Sequence, residues 1–358
     1  MWSRLARVTA AAVLAVLPAL LPLTSVPASA AGLPRPSAEF MGPAAQGDPC
    51  PEPNDSFQDA CYLGPSSDAV GYISAANDVD AYRIEVLDFN TDVHVEMPSM
   101  PAAYKLYLAN WNGDEIAQST GGPNGGQIID TTVDIPGAYY IFVYSAGGGF
   151  SAGRPYQLFR ALTYPGSKIP DILFTSEFRE GSKQATTGDT DFATHSEEGG
   201  RYTIAMKVPG VPEDPSQAWW TGFGPDVTDF TMTVDARVAN QVDAGFRIFF
   251  RHIDDGNNYS MAVDAKDGQV LLMKLVNGEA AGNTGWVPSE AVNTGGGVNR
   301  VVIRCFEDQI RINVNGEDVF DIRDSSFRHG RIGLGAIAFG PPPVVNFDNI
   351  IITTPSEG

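Results

Sequence analysis

Two sets of residues in this sequence carry enough chemistry to build a site. The first is Glu52, Asn54, Asp55, Asp78 and Asp80. Their carboxylate and amide oxygens come from two segments that could wrap one hard cation such as Ca²⁺. The same residues are turn formers, since Asn and Asp bond their own backbone. The second set is Trp219, Arg251, Asn258, Tyr259 and Trp286, with Trp220 beside the first. Shallow sugar sites use an aromatic face for stacking and a few fixed polar groups. Arg251 and Tyr259 fall on adjacent expected strands, where they could meet on one sheet face. As structural residues, Trp220 and Tyr259 would be core and Arg251 a solvated strand position.

Catalytic patterns are weaker. A glycosidase needs two carboxylates facing a cleft about 5–10 Å apart, and the acidic residues of the second half lie mostly at turns, as in Asp254-Asp255-Gly256 and Asp264-Ala265-Lys266-Asp267-Gly268. Gly149-Phe150-Ser151-Ala152-Gly153 matches the G-x-S-x-G elbow, but that motif has meaning only between a strand and a helix, and here it sits in a Gly-rich loop. His94, His195, His252 and His329 show no paired zinc spacing. Binding is therefore expected rather than catalysis.

Arg4 and Arg7, an apolar run from Val8 to about Leu23, and Ala28-Ser29-Ala30 have the form of a signal peptide over residues 1–30. The run is shorter than the roughly 20 residues that span a bilayer, so an exported protein without membrane insertion is expected. The formal charge is −20. Loss of the two arginines would leave 21 basic against 43 acidic side chains, or −22. Nucleic acid is disfavoured as a partner, because polyanion binding needs Lys and Arg on phosphates. In an oxidising compartment Cys50 and Cys61 are the natural disulfide pair. Cys305 lies within an apolar strand and is expected as a buried, inert thiol.

Residues 31–48 are rich in Ala, Gly and Pro and read as a flexible leader. Beyond them come short runs with strand character, among them Val79–Val86, Val93–Met97, Tyr104–Leu108 and Tyr139–Tyr144. Val93, Val95 and Met97 share one face and His94 and Glu96 the other, the pattern of a strand with one wet side. Residues 164–170, with two prolines and a glycine, are the expected linker between a first domain over 49–163 and a second over 171–358. Longer strands follow, including Phe230–Val238, Gly245–His252, Tyr259–Ala265 and Val344–Thr353. No amphipathic helical period persists, which excludes an alternating α/β enzyme fold. The expected fold is all-β, two antiparallel β-sandwiches of jelly-roll type in tandem.

Glu52-Pro53-Asn54-Asp55-Ser56-Phe57, Gly71-Tyr72-Ile73, Asn77-Asp78-Val79-Asp80-Ala81-Tyr82 and Pro155-Tyr156-Gln157-Leu158 resemble, in order and spacing, the bacterial pre-peptidase C-terminal domain. That resemblance implies a calcium site in the acidic segments, with Cys50 where collagen-binding relatives place a further acid. Ala244–Arg251, Asp254–Tyr259, Asn313-Val314-Asn315-Gly316, His329–Leu334 and Phe347-Asp348-Asn349-Ile350 resemble the concanavalin A-like lectin/glucanase superfamily, in particular its laminin-G-like and keto-disaccharide-hydrolase-like branches. The Glu-x-Asp-x-x-Glu pattern of that superfamily's glucanases does not occur. The resemblance implies a structural Ca²⁺ at Asp348, with Glu177 or a backbone carbonyl. The expectation is a secreted, non-catalytic, calcium-stabilised protein that binds extracellular polysaccharide or a matrix protein. The alternatives are a secreted glycan-active hydrolase and an accessory component of the cell envelope.

Overall fold

The computed structural model describes residues 50, 52–64, 68–122, 125–176, 178, 187–198 and 200–356, with the side chains of 198 and 219–222 excepted. The expected signal peptide, the leader and Glu177 lie outside the described residues.

The fold is β throughout, apart from one 3-10 turn at Pro165–Ser167. The first sandwich comprises β1 (Cys61–Tyr62), β2 (Ala69–Gly71), β3 (Val79–Val86), β4 (Thr91–Met97), β5 (Tyr104–Ala109), β6 (Glu115–Gln118), β7 (Gln127–Val133), β8 (Gly137–Ser145) and β9 (Tyr156–Thr163). Its sheets run β1-β3-β8-β5-β6 and β2-β9-β4-β7. The alternation read in β4 holds: Val93, Val95 and Met97 are buried, and Asp92 is exposed. The disulfide Cys50–Cys61 ties the entry of the chain to β1, which pairs parallel with β3.

The second sandwich comprises β10 (Ile172–Ser176), β11 (Gly188–Asp189), β12 (Ala193–Glu198), β13 (Arg201–Met206), β14 (Ser216–Val227), β15 (Phe230–Val238), β16 (Ala244–Asp254), β17 (Asn257–Asp264), β18 (Gln269–Val276), β19 (Glu279–Asn283), β20 (Val287–Pro288), β21 (Asn299–Phe306), β22 (Gln309–Val314), β23 (Glu317–Arg323), β24 (Gly330–Ala338) and β25 (Val344–Thr353). One sheet runs β11-β12-β13-β25-β15-β21-β22-β23, with β10 also on β25. The facing sheet runs β14-β24-β16-β17-β18-β19, with β20 on β18. Phe246, Ile248, Phe250, Val301, Ile303, Phe347 and their neighbours fill the space between the sheets. Among the described residues no helix is long and apolar enough to cross a membrane.

The sandwiches meet closely. Tyr164, the first residue of the expected linker, is buried with Leu87 of the first sandwich and Ile351 of the second. Thr353 Oγ1 donates to Leu87 O at 3.2 Å, and the Ser356 amide donates to Asp88 Oδ2 at 2.6 Å. Tyr164 therefore packs into the junction, while residues 166–169 of the expected linker are exposed. A third contact comes from Arg300, fully buried, which lies over the Trp111 ring at 4.0 Å and reaches Gly137. Gly137 has φ +132°, and an added Cβ would stand 2.3 Å from Arg300 Nη1, so glycine is required there twice over.

Candidate functional site

The outer face of the β14-β24-β16-β17-β18-β19 sheet is built by strand alternation. Phe246, Ile248 and Phe250 of β16 point into the core, so Arg247 and Phe249 point away from it. Arg247 stands in register with Ala262 on β17 and Gly335 on β24. The same face carries a second apolar cluster of Ala262, Leu271, Ile337 and Phe339, with Met273 and Trp286 packed against it. Trp286 meets the Phe339 ring edge-on at 5.6 Å and stays partly exposed.

Arg247 is the unusual residue of this face. It is largely buried, and its Nε has no acceptor. Among the described residues it makes a distant ring contact, 5.9 Å to the Phe249 centroid, but no ion pair or hydrogen bond. Burial alone pulls its pKa down to about 10. A largely buried guanidinium with unused donors costs free energy unless a partner supplies oxygens.

The residues singled out in the sequence fall differently. Arg251 lies on β16 four positions on, where strict alternation would place it beside Arg247. The pairing of β16 with β24 shifts between Phe249 and His252, and Arg251 takes φ +44°. That irregularity turns the side chain inward until it is fully buried, donating to the carbonyls of Phe327 at 3.2 Å, Thr228 at 3.2 Å and Glu307 at 2.8 Å. Arg251 is a strut between loops, not a group offered to a ligand. Tyr259 is buried in the sandwich core, stacked on Phe250 with centroids 5.5 Å apart, and its hydroxyl donates to Asp324 Oδ1 at 2.7 Å. Asn258 is also buried, and its amide donates to the carbonyls of Asp254 and Asp255. Arg251 and Tyr259 therefore do not meet on an open face. Trp219 stands in register with Gly335, in the same row as Arg247, but its side chain and that of Trp220 lie outside the described residues. Arg247 was legible in the run that drew attention to Arg251: it alternates with Phe246, Ile248 and Phe250.

The cation candidates divide. Glu52, Asp55 and Asp78 converge, with one oxygen of each within 4.8 Å of the others. Burial, then the neighbouring Asp78, raises the Asp55 pKa. Asn54 is buried, and its amide donates to Glu52 and Asp80 at 3.2 Å each. Asp80 is turned into the core, where it accepts from the Tyr156 hydroxyl. Three converging carboxylates fit Ca²⁺, which takes about 6–8 oxygens, with Asn54 holding that of Glu52 in place. Asp348 stands apart, in the other sandwich, opposite Asp235.

The fold and these sites define the class: an all-β protein of two joined sandwiches. No protein-family model matches the chain, and no curated protein is similar to it. Among solved structures, the carbohydrate-binding module CBM66 from Bacillus subtilis is 21% identical over 48% of this chain and 92% of its own, with a TM-score of 0.32. The pre-peptidase C-terminal domain of a Bacillus anthracis collagenase is 16% identical over 28% of this chain and 93% of its own, with a TM-score of 0.25. A Bacillus licheniformis β-glucanase is 12% identical over 52% of this chain and 99% of its own, with a TM-score of 0.36.

Proposed function

We propose that this is a secreted, non-catalytic carbohydrate-binding protein that takes an extracellular polysaccharide on the outer face of the second sandwich, with Ca²⁺ held by Glu52, Asp55 and Asp78 in the first. The observation that carries the reading is Arg247, a largely buried guanidinium with unused donors, 5.9 Å from the Phe249 ring and on the sheet face whose apolar cluster includes Trp286. A saccharide meets both needs, since its hydroxyl or carboxylate oxygens accept from the guanidinium and its C–H face packs on an aromatic ring. Trp219 extends the same row of the sheet. Hydrolysis is disfavoured by the carboxylates available. Asp264, in the row of Gly245 and Gln269, accepts from the amides of Lys266 and Asp267, both at 3.0 Å, and so caps a turn. Among the described residues of β16, β17 and β18 no second carboxylate shares that outer face to complete a pair.

The test is a polysaccharide array with the mature protein, run with Ca²⁺ and with chelator while reducing ends are assayed. Selective binding without product release, lost in Arg247→Ala, supports the reading. Released product would make the protein a hydrolase, and binding to matrix protein alone would replace the sugar by a protein partner.

A further inference from the structure

Other arginines of this chain show what Arg247 lacks. Arg160, Arg251 and Arg304 likewise have an Nε sealed from solvent without an acceptor. Each compensates through its terminal nitrogens. Arg160 donates to Leu63 O at 3.2 Å and Arg304 to Ser356 O at 2.9 Å, while Arg251 has its three carbonyls. Among the described residues Arg247 donates to nothing. Its Nη1 and Nη2 are not sealed as Nε is, so the end of the fork opens to solvent with its donors unused.

No charge of the protein answers it. The three rows of the outer face that run through Gly245, Arg247 and Phe249 contain one acidic residue, Asp264, and no second lysine or arginine. Asp264 makes no ion pair with Arg247 and is engaged instead by the amides of Lys266 and Asp267. Arg247 nonetheless stays a cation at neutral pH, because burial brings its pKa only to about 10. The charge is present and uncompensated.

A ligand laid over Arg247 completes the burial of its fork. A neutral sugar would supply hydroxyl acceptors but leave a positive charge fully withdrawn from water, at a cost in free energy. A carboxylate removes that cost, because its two oxygens match the planar fork with two parallel charge-assisted bonds. A densely sulfated chain fits less well, since its further anions would meet no cation in these rows and a protein of charge −20. Building on the sugar site proposed above, we infer that the sugar taken on this face is a uronate, with its carboxylate on Nη1 and Nη2 of Arg247. The ligand class is then a polysaccharide that carries uronic acids.

The test is titration calorimetry of the whole protein with short oligosaccharides of galacturonate, of alginate and of hyaluronan. Each is also offered with its carboxylates reduced to alcohols, and a sulfated dextran oligosaccharide serves as the sulfate probe. Chelator is present at about 150 mM salt, so that no Ca²⁺ bridges the uronates to the protein's own acids. At least one uronate should bind, with its reduced form at least about tenfold weaker. Arg247→Ala, shown to be folded by its melting curve, should bring that uronate down to the level of the reduced sugar. Arg247→Lys keeps the charge without the fork and should fall between the two. Arg154→Ala removes an exposed cation from the first sandwich and should change nothing. Absence of uronate binding, equal binding of the reduced form, tighter binding of the sulfated dextran, or the same loss in Arg154→Ala would each overturn the uronate assignment. The sugar site itself is read separately on the polysaccharide array: a neutral polymer whose binding falls in Arg247→Ala keeps that site, and no Arg247-dependent sugar of any kind removes both.

Discussion

Arg300 holds both carboxylate oxygens of Asp235 at 2.8 Å while its remaining nitrogen reaches Ala138 O of the other sandwich at 3.3 Å. Burial alone would depress the guanidinium pKa, and Asp235 more than offsets that and leaves it raised. Asn349 donates to the same carboxylate at 2.8 Å and accepts from Arg83 of the first sandwich at 3.2 Å, so one buried network crosses the junction. Removing one member of a buried pair typically costs about 3–5 kcal/mol, because the other charge is stranded. Arg300→Met should lower the unfolding free energy in urea by about that much, with Arg300→Met/Asp235→Leu recovering part of it. A loss under about 1 kcal/mol would mean that the pair does not hold the joint.

Asp348 offers a pH signature. Burial, aided by nearby Asp235, pushes its pKa from 3.8 up to about 6. A carboxyl raised on folding gives its relative stabilisation below the unfolded value, and that stabilisation is lost as pH rises from about 4 to about 6. Asp348→Asn should therefore raise stability at pH 7.5 by about 1–3 kcal/mol and flatten the decline between pH 4 and 6. Thermal unfolding across that range checks it. If Asp348 instead holds Ca²⁺, the same variant is less stable than wild type in calcium.

The Glu52, Asp55 and Asp78 cluster predicts metal-dependent stability. Ca²⁺ at about a hundred times its dissociation constant adds about 2.7 kcal/mol to a protein that binds it only when folded. Glu52→Gln/Asp78→Asn should abolish the gain. Because burial and Asp78 raise the Asp55 pKa, protons compete for that carboxylate, and the calcium effect should shrink as pH falls. Melting curves with Ca²⁺ and with chelator, at pH 7.5 and pH 5, read this directly. Superimposable curves at pH 7.5 would rule the site out.

Cys305 is fully buried in β21, and burial pushes its thiol pKa up to about 12. It should resist thiol reagents in the native protein and react within minutes once the chain is unfolded, with one equivalent consumed. Rapid native labelling would show that β21 opens.

The legible parts of this molecule were those fixed by local pattern. Val79–Val86, Phe230–Val238 and Val344–Thr353 were read to the residue, because each alternates or runs apolar between turn formers. The convergence of Glu52, Asp55 and Asp78 was also readable, since two acidic turns flank one strand entry. What escaped depends on long-range placement. Arg251 obeys a shift in strand pairing set by β24, far away in sequence. The long β14 interleaves polar, aromatic and glycine residues and lacked a clean period. Trp111 sits in a turn, and its partner Arg300 comes from the other sandwich, so nothing near either residue announced the contact between them.

Sugar binding on the outer face of the second sandwich is proposed to depend on Arg247 and on the Trp286 surface of the same face. The most direct measurement is the affinity of wild type, Arg247→Ala and Trp286→Ala for the polysaccharide selected on the array, with melting curves to establish that each variant is folded. Arg247→Ala should lose about tenfold to a hundredfold in affinity, the worth of a charge-assisted hydrogen bond or two, and Trp286→Ala less. Unchanged affinity in a folded Arg247→Ala protein would contradict it.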